Sequence, residues 1–182
     1  MKPGTSDLEK IHDYVVNQKG KSDQFGSLPP EDEWKSTVFQ RNFSRSRAFV
    51  LALAMLKPRN LTNGSAIDVA EALSVYNQKE FHHIHPRAYL KRIQAPGEHN
   101  AIANICMLAA SENKSINDKD PKVYLPHCVQ QLKEDVEAIF ASNLLPSPQI
   151  FDYATADYQT FLTTRASMIG KLVATLFEGK AF

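Results

Sequence analysis

Apolar residues recur at helical spacing along most of the chain, which predicts a mainly helical protein. The clearest segment spans residues 45–56, follows Ser44 as a candidate cap and ends before Pro58. Because this segment is apolar on nearly every side, we expect it to form the central buried helix. Further helices are predicted near residues 7–20, 29–39, 65–76, 123–140 and 157–178.

The pattern changes between residues 77 and 120. Residues 80–84 are compatible with a short extended segment, and the apolar residues 102–108 are compatible with a second one. Pro96-Gly97 breaks the chain between them, and residues 110–116 are predicted to form a short helix. The predicted fold class is therefore α+β and mostly helical, with a strand-loop-strand-helix module inserted in a helical bundle.

Three parts of the chain follow from this organisation. Residues 1–76 form an N-terminal helical part, residues 77–120 form the inserted module, and residues 121–182 form C-terminal helices that pack on the same core. We expect no repeats and no low-complexity segment.

The composition is that of an ordinary soluble globular protein, with 43% hydrophobic and 23% charged residues in a chain of 182. The first 20 residues lack the apolar core of a signal peptide. The longest apolar run, residues 48–56, is about half as long as a membrane span. Two cysteines without a CxxC pairing suit a reducing compartment. We therefore expect a cytoplasmic protein without a membrane partner.

The net charge of +1 conceals an uneven distribution. Residues 35–67 contain no acidic side chain and carry the basic residues Lys35, Arg41, Arg45, Arg47, Lys57 and Arg59. A second basic group follows at Arg87, Lys91 and Arg92. Basic surface of this kind suits a polyanionic partner such as nucleic acid. The alternative is that these side chains only form solvated helix faces.

Three of the six histidines lie within four positions, at His82, His83 and His85. Imidazole transfers protons near neutral pH and also binds metal ions. Adjacent side chains on an extended segment point to opposite faces, so one histidine can hold a metal while its neighbour faces a reacting water. Magnesium keeps several waters, so one histidine and one asparagine amide oxygen would suffice to hold it for phosphodiester hydrolysis.

The spacing of these residues carries a family resemblance. His82-His83-Ile84-x-Pro86, followed by Asn104 and then by Asn113-Lys114, resembles the HNH (ββα-metal) nuclease motif. Its wider context is similar to the C-terminal nuclease half of GmrSD-type restriction proteins, in residues 80–90, 100–104, 113–116 and 121–125. The resemblance implies an HNH module at residues 77–120. It also implies an N-terminal recognition or NTP-sensing domain that this chain lacks.

The resemblance implies a role for each motif residue. His82 and Asn113 would bind a divalent metal, Mg²⁺ or Mn²⁺, and His83 would be the general base. Asn104 would hold the His83 ring through its backbone or side chain. The candidate DNA-binding residues are Arg87, Lys91 and Lys114. The implied function is that of a DNA endonuclease, expected to nick, in a phage-defence or modification-dependent restriction protein.

His85 departs from the family pattern, in which an apolar aromatic residue is usual at this position. We expect it to be exposed at the surface or to assist phosphate binding. Arg165, in the last predicted helix, is either a phosphate contact or a buried ion-pair partner, and a structural role is favoured. Asn113 could also be only a helix cap.

Two rival hypotheses belong to other functional classes. The first is a nucleic-acid-binding or regulatory module that keeps the fold without turnover. The second is a helical interaction domain with a structural metal. Zinc bound by Cys106 together with Cys128, His127 or His99 is the candidate for that metal, although such sites usually show closely spaced ligand pairs. Buried free thiols are the alternative for both cysteines.

Overall fold

The computed structural model describes residues 28–70, 81–108, 116 and 118–179. In this part of the chain, helices supply most of the regular structure, and a two-stranded sheet accompanies them, in agreement with the predicted α+β class. The helices are α1 (Glu33–Ser36), α2 (Ser44–Met55), α3 (Arg87–Arg92), α4 (Pro121–Leu132), α5 (Val136–Ser142) and α6 (Tyr158–Phe177). The strands are β1 (Phe81–His83) and β2 (Ile105–Met107).

Helix α2 forms where the apolar run predicted it, but only one side of it is buried. Phe49 and Leu53 are fully enclosed in the core, whereas Leu51 is 56% and Met55 60% exposed. The prediction of a helix buried on all sides was therefore wrong. Ser44 begins the helix instead of capping it. The helix ends at Met55, and Lys57 then has a positive φ of 51° before the following proline.

The predicted helix at residues 123–140 is two helices. Helix α4 begins at Pro121, where the Asp120 carboxylate accepts a hydrogen bond from the Lys122 amide at 2.9 Å. It ends at Leu132, and a 3₁₀ turn, Lys133–Asp135, separates it from α5. Lys133 has a φ of 52°, which interrupts the helical path although the apolar spacing continues through it.

Two further predictions are corrected around the sheet. Residues 29–39 were predicted as one helix, but α1 is a single turn and the chain then runs extended through Val38. Trp34 and Phe39 are both buried. The predicted strand at 102–108 begins instead with a 3₁₀ turn, Ile102–Asn104, which leads into β2. The predicted helices at 7–20, 65–76 and 110–116 lie wholly or partly outside the described residues.

The sheet is antiparallel and very short. Its register pairs Phe81 with Met107, His82 with Cys106 and His83 with Ile105. A third extended segment supports it, because residues 37–39 run beside residues 100–102. There the Phe39 amide donates to the Asn100 carbonyl at 2.7 Å, and the Ile102 amide donates to the Thr37 carbonyl at 2.9 Å.

Helix α6 is the longest helix among the described residues, and the helix predicted at 157–178 is confirmed. Its first turn is capped by Asp157, whose side chain accepts from the Thr160 amide at 2.7 Å. Its inner face buries Phe161, Leu162 and Ile169 against α1 and against the 3₁₀ turn before β2. No helix within the described ranges is both long and apolar enough to cross a membrane.

Arg165 lies at the centre of the α6 contacts and is fully buried. Its Nη1 donates to the carbonyl of Ala103 at 3.0 Å, Nε to that of Leu144 at 3.0 Å, and Nη2 to that of Asn143 at 3.1 Å. Burial lowers its pKa to about 10, so the guanidinium remains charged at neutral pH. The buried position therefore favours a structural role for Arg165 over a phosphate contact. The partners of its guanidinium are main-chain carbonyl groups.

Replacing Arg165 by methionine tests this role. The variant leaves the carbonyls of Ala103, Asn143 and Leu144 buried without donors, so we expect a loss of about 2–4 kcal/mol in the free energy of unfolding. Urea denaturation followed by circular dichroism measures it. Lys171→Met, at an exposed position of the same helix, is the control and should change stability little. Equal midpoints for the two variants would contradict the role of the buried guanidinium.

Candidate active site

The His83 side chain is half-buried at the end of β1 and faces an asparagine. Its Nε2 lies 2.7 Å from Oδ1 of Asn100. The same carboxamide donates from Nδ2 to the carbonyl of Phe39 at 2.8 Å. The His83 imidazole is therefore the meeting point of three segments, which are β1, the residues before the 3₁₀ turn, and the extended segment 37–39.

Burial lowers the pKa of His83 below its ordinary value. The hydrogen bond with Asn100 opposes this shift, and the positive charge of Arg87 adds to it. A histidine of this kind is neutral at physiological pH and can accept a proton.

His82 is buried beside it and has a ring nitrogen without a partner. Nε2 has no hydrogen-bond partner within the described residues. Desolvation by burial, together with the neighbouring His83 and Arg41, lowers the pKa of His82 to about 4, although a backbone hydrogen bond with Leu108 opposes the shift. A neutral imidazole with a free lone pair on one nitrogen and a carbonyl partner for its ring is a suitable metal ligand.

Asn104 is fully buried and holds the main chain that follows β1. Its Oδ1 accepts from the His85 amide at 2.8 Å, and its Nδ2 donates to the carbonyls of His85 and His99, both at 3.0 Å. Its own carbonyl accepts from the Ile84 amide at 2.9 Å. The sequence predicted that Asn104 would hold the His83 ring. The structure corrects this, because the 3₁₀ turn directs its carboxamide to the backbone of His85 instead.

Asn100 is the residue that contacts the His83 ring, and it is not among the site residues predicted from the sequence. It lies four positions before Asn104 on the same segment, and this proximity was the available signal. A lone asparagine in a sequence is most often a turn or cap residue. The contact of Asn100 with the His83 ring becomes visible only from the course of the backbone through residues 98–101.

His85 is buried, with 6% of its surface exposed, so the expectation of a surface-exposed residue was wrong. Its ring centroid lies 4.4 Å from that of Phe161 and 5.2 Å from that of Tyr158, against the N-terminal part of α6. The hydroxyl of Tyr124 donates to the neighbouring Ile84 carbonyl. His85 thus occupies an aromatic position in the core, which does not suit a phosphate contact.

The basic residues predicted near the site lie in different surroundings. Arg87 and Lys91 lie on α3 and are both exposed, and the Arg87 charge acts on His83. Arg92 pairs with Asp118 at 3.1 Å. Asn113 and Lys114 lie outside the described residues. The structure therefore brings together His82, His83 and Arg87, and it does not place the second predicted metal ligand.

The donor types near His82 restrict the kind of metal site. Within the part of the chain that the structure describes, no three His, Cys, Asp or Glu side chains gather as a metal-binding group. Cys106 and Cys128 are buried and form no disulfide, and burial raises the pKa of Cys106 to about 12. Within those described residues, His82 therefore has no ready-made cluster of such donors around it. No protein-family model, curated protein or solved structure matches the chain.

The pH dependence of stability in the variant His85→Phe tests whether the buried His85 ring is neutral. Burial lowers the pKa of His85 to about 3, and its Nδ1 lacks a partner within the described residues. Because the unfolded chain binds a proton near pH 6.5 and the folded chain does not, acidification from pH 6.5 towards 3 destabilises the fold. We expect His85→Phe to lose less thermal stability between pH 7 and pH 5 than the parent chain.

The matched control is His127→Phe, at an exposed position. The melting temperatures of the three proteins at both pH values give the comparison. If His85→Phe and the parent chain lose the same number of degrees, the neutral buried state of His85 is refuted.

Proposed function

We propose that this chain is a metal-dependent DNA endonuclease domain of the HNH type. It hydrolyses phosphodiester bonds in one DNA strand at a time. One observation carries the proposal. A half-buried, neutral His83 lies at the end of a short strand, its ring is held by Asn100, and Asn104 fixes the main chain that follows. His83 is thus a base held in a fixed position near the exposed basic side chain of Arg87.

The chain's own residues supply proton transfer and positioning. His83 takes the proton from the attacking water, which is the task of a neutral imidazole within hydrogen-bonding reach of the reacting group. Arg87 attracts the DNA phosphates, together with Lys91 one helical turn further along α3. These contacts set the register of the protein on the DNA. Since one such site contains one base, a monomer would produce nicked circles rather than linear DNA.

The residues fit a divalent metal at the neighbouring position. His82 has an unpartnered buried nitrogen and, with Asn113, would hold Mg²⁺ or Mn²⁺. When bound, the metal supplies a Lewis acid for the scissile phosphate and its leaving oxygen. Burial keeps the His82 ring neutral, which preserves its lone pair for this purpose.

The proposed context follows from the same resemblance. The domain would act in the cytoplasm as the effector of a phage-defence or modification-dependent restriction protein. A separate recognition or NTP-sensing domain would choose the DNA, since phosphate contacts of the Arg87 type carry no sequence information.

Plasmid nicking in Mg²⁺ or Mn²⁺ tests the catalytic role. His83→Ala should lower the single-turnover nicking rate by about 100- to 10,000-fold, because it removes the general base. His127→Ala, at an exposed position, should nick like the parent chain. If the parent chain and His83→Ala both bind supercoiled plasmid and leave it equally intact, the domain is a binding module and the nuclease proposal fails.

The salt dependence of DNA binding tests the basic surface. Removing a phosphate contact with Arg87→Ala or Lys91→Ala should reduce the slope of log K against log salt by about 0.9 for each contact, with similar losses on unrelated sequences. Fluorescence anisotropy at several salt concentrations measures the slope. Lys171→Ala, exposed on α6, is the control. A slope unchanged in both α3 variants would exclude this helix from the DNA interface.

A further inference from the structure

Asn100 is held from several directions around the His83 ring. Its amide donates to Oε1 of Glu98 at 2.7 Å, and its carbonyl accepts from the Phe39 amide at 2.7 Å. Its side chain bridges the Phe39 carbonyl, 2.8 Å from Nδ2, and the His83 ring, 2.7 Å from Oδ1. Both ends of the carboxamide are therefore occupied.

The Phe39 carbonyl determines which way this carboxamide faces. A carbonyl oxygen only accepts hydrogen bonds, so the amide nitrogen of Asn100 must point at it and Oδ1 must point at His83. The distinction between amide oxygen and nitrogen rests on this network. Because Oδ1 also only accepts, Nε2 of the neutral His83 must carry the proton. The lone pair then lies on Nδ1.

We propose that Asn100 is a positioning residue that fixes His83 as the Nε2–H tautomer and makes Nδ1 the nitrogen that accepts the proton of the attacking water. The assignment of Nδ1 to that reaction rests on the proposed nuclease function, whereas the tautomer follows from the hydrogen bonds alone. The residue acts through His83 and contacts no reacting atom itself.

The proposal extends the site to the segment at residues 37–39. The Phe39 main chain exchanges two hydrogen bonds with Asn100, one to its backbone and one to its side chain. The buried Phe39 ring also packs on Phe81 of β1, with centroids 5.6 Å apart. The Phe39 carbonyl is thus fixed relative to the strand that carries His83, which the orientation of the carboxamide requires.

Nitrogen-15 NMR of the histidine rings in the full chain tests the tautomer directly. At a pH where the ring is neutral, His83 should show a protonated Nε2 and an unprotonated Nδ1. Asn100→Leu removes the acceptor and should allow rapid exchange of the Nε2 proton. Asn100→Asp keeps an acceptor and should retain the tautomer, so it answers the question if the leucine variant does not fold. A proton on Nδ1 in the parent chain would overturn the proposal.

Kinetics separate positioning from a merely structural role. Asn100→Leu should lower the kcat of nicking by about 10- to 100-fold with KM little changed, a loss of the size seen when the partner that orients a functional imidazole is removed. Asn100→Asp should retain more of the kcat. Asn60→Leu is the control, since the side chain of that buried asparagine donates to the Ser65 hydroxyl at 2.8 Å.

The outcomes distinguish this proposal from the proposed function. If His83→Ala abolishes nicking while Asn100→Leu keeps the parental kcat, the positioning role is refuted and the nuclease function stands. If the parent chain shows the Nε2–H tautomer and Asn100→Leu shows rapid exchange of that proton, but the parent chain never nicks DNA, the tautomer assignment is supported and the nuclease function fails.

Discussion

The pairing of the Asn104 carboxamide with the backbone of His85 is the constraint on which the site depends. Strands of three residues each cannot form a stable sheet by themselves. Asn104 reproduces a strand-like pair of hydrogen bonds beyond the end of β1, and Arg165 donates to the carbonyl of the adjoining Ala103. The turn before β2 is thereby fixed to α6. The position of His83 follows from the stability of the surrounding helices.

The histidine cluster separates into different environments within four residues. His82 is buried with an unpartnered ring nitrogen, His83 is half-buried and bonded to Asn100, and His85 packs among the aromatic side chains of α6. In each case burial is the largest cause of a lowered pKa. The cluster therefore offers neutral imidazoles at physiological pH, which favours proton acceptance and metal binding over direct attraction of phosphate. The exposed basic side chains of Arg87 and Lys91 lie instead on α3.

Helical periodicity predicted the elements whose apolar face is long, such as α2 and α6, and it failed where a single backbone conformation decides. Lys133 has a positive φ within an unbroken apolar pattern, so the split between α4 and α5 could not be read from spacing. Asn100 was overlooked for a related reason. Its role requires Phe39, 61 positions away, to lie beside it, and no local pattern encodes that contact.

The sequence by itself determined the mainly helical class, the short extended segment with adjacent histidines, and the residue types that a nuclease site would need. These depend on local preferences and on spacing, both of which are present in the linear chain. The tertiary structure decided that Asn104 holds the His85 backbone, that His85 is a core residue, and that Asn100 bonds the His83 ring. Hydrogen bonds join groups by distance and direction in space, and sequence order alone does not fix either.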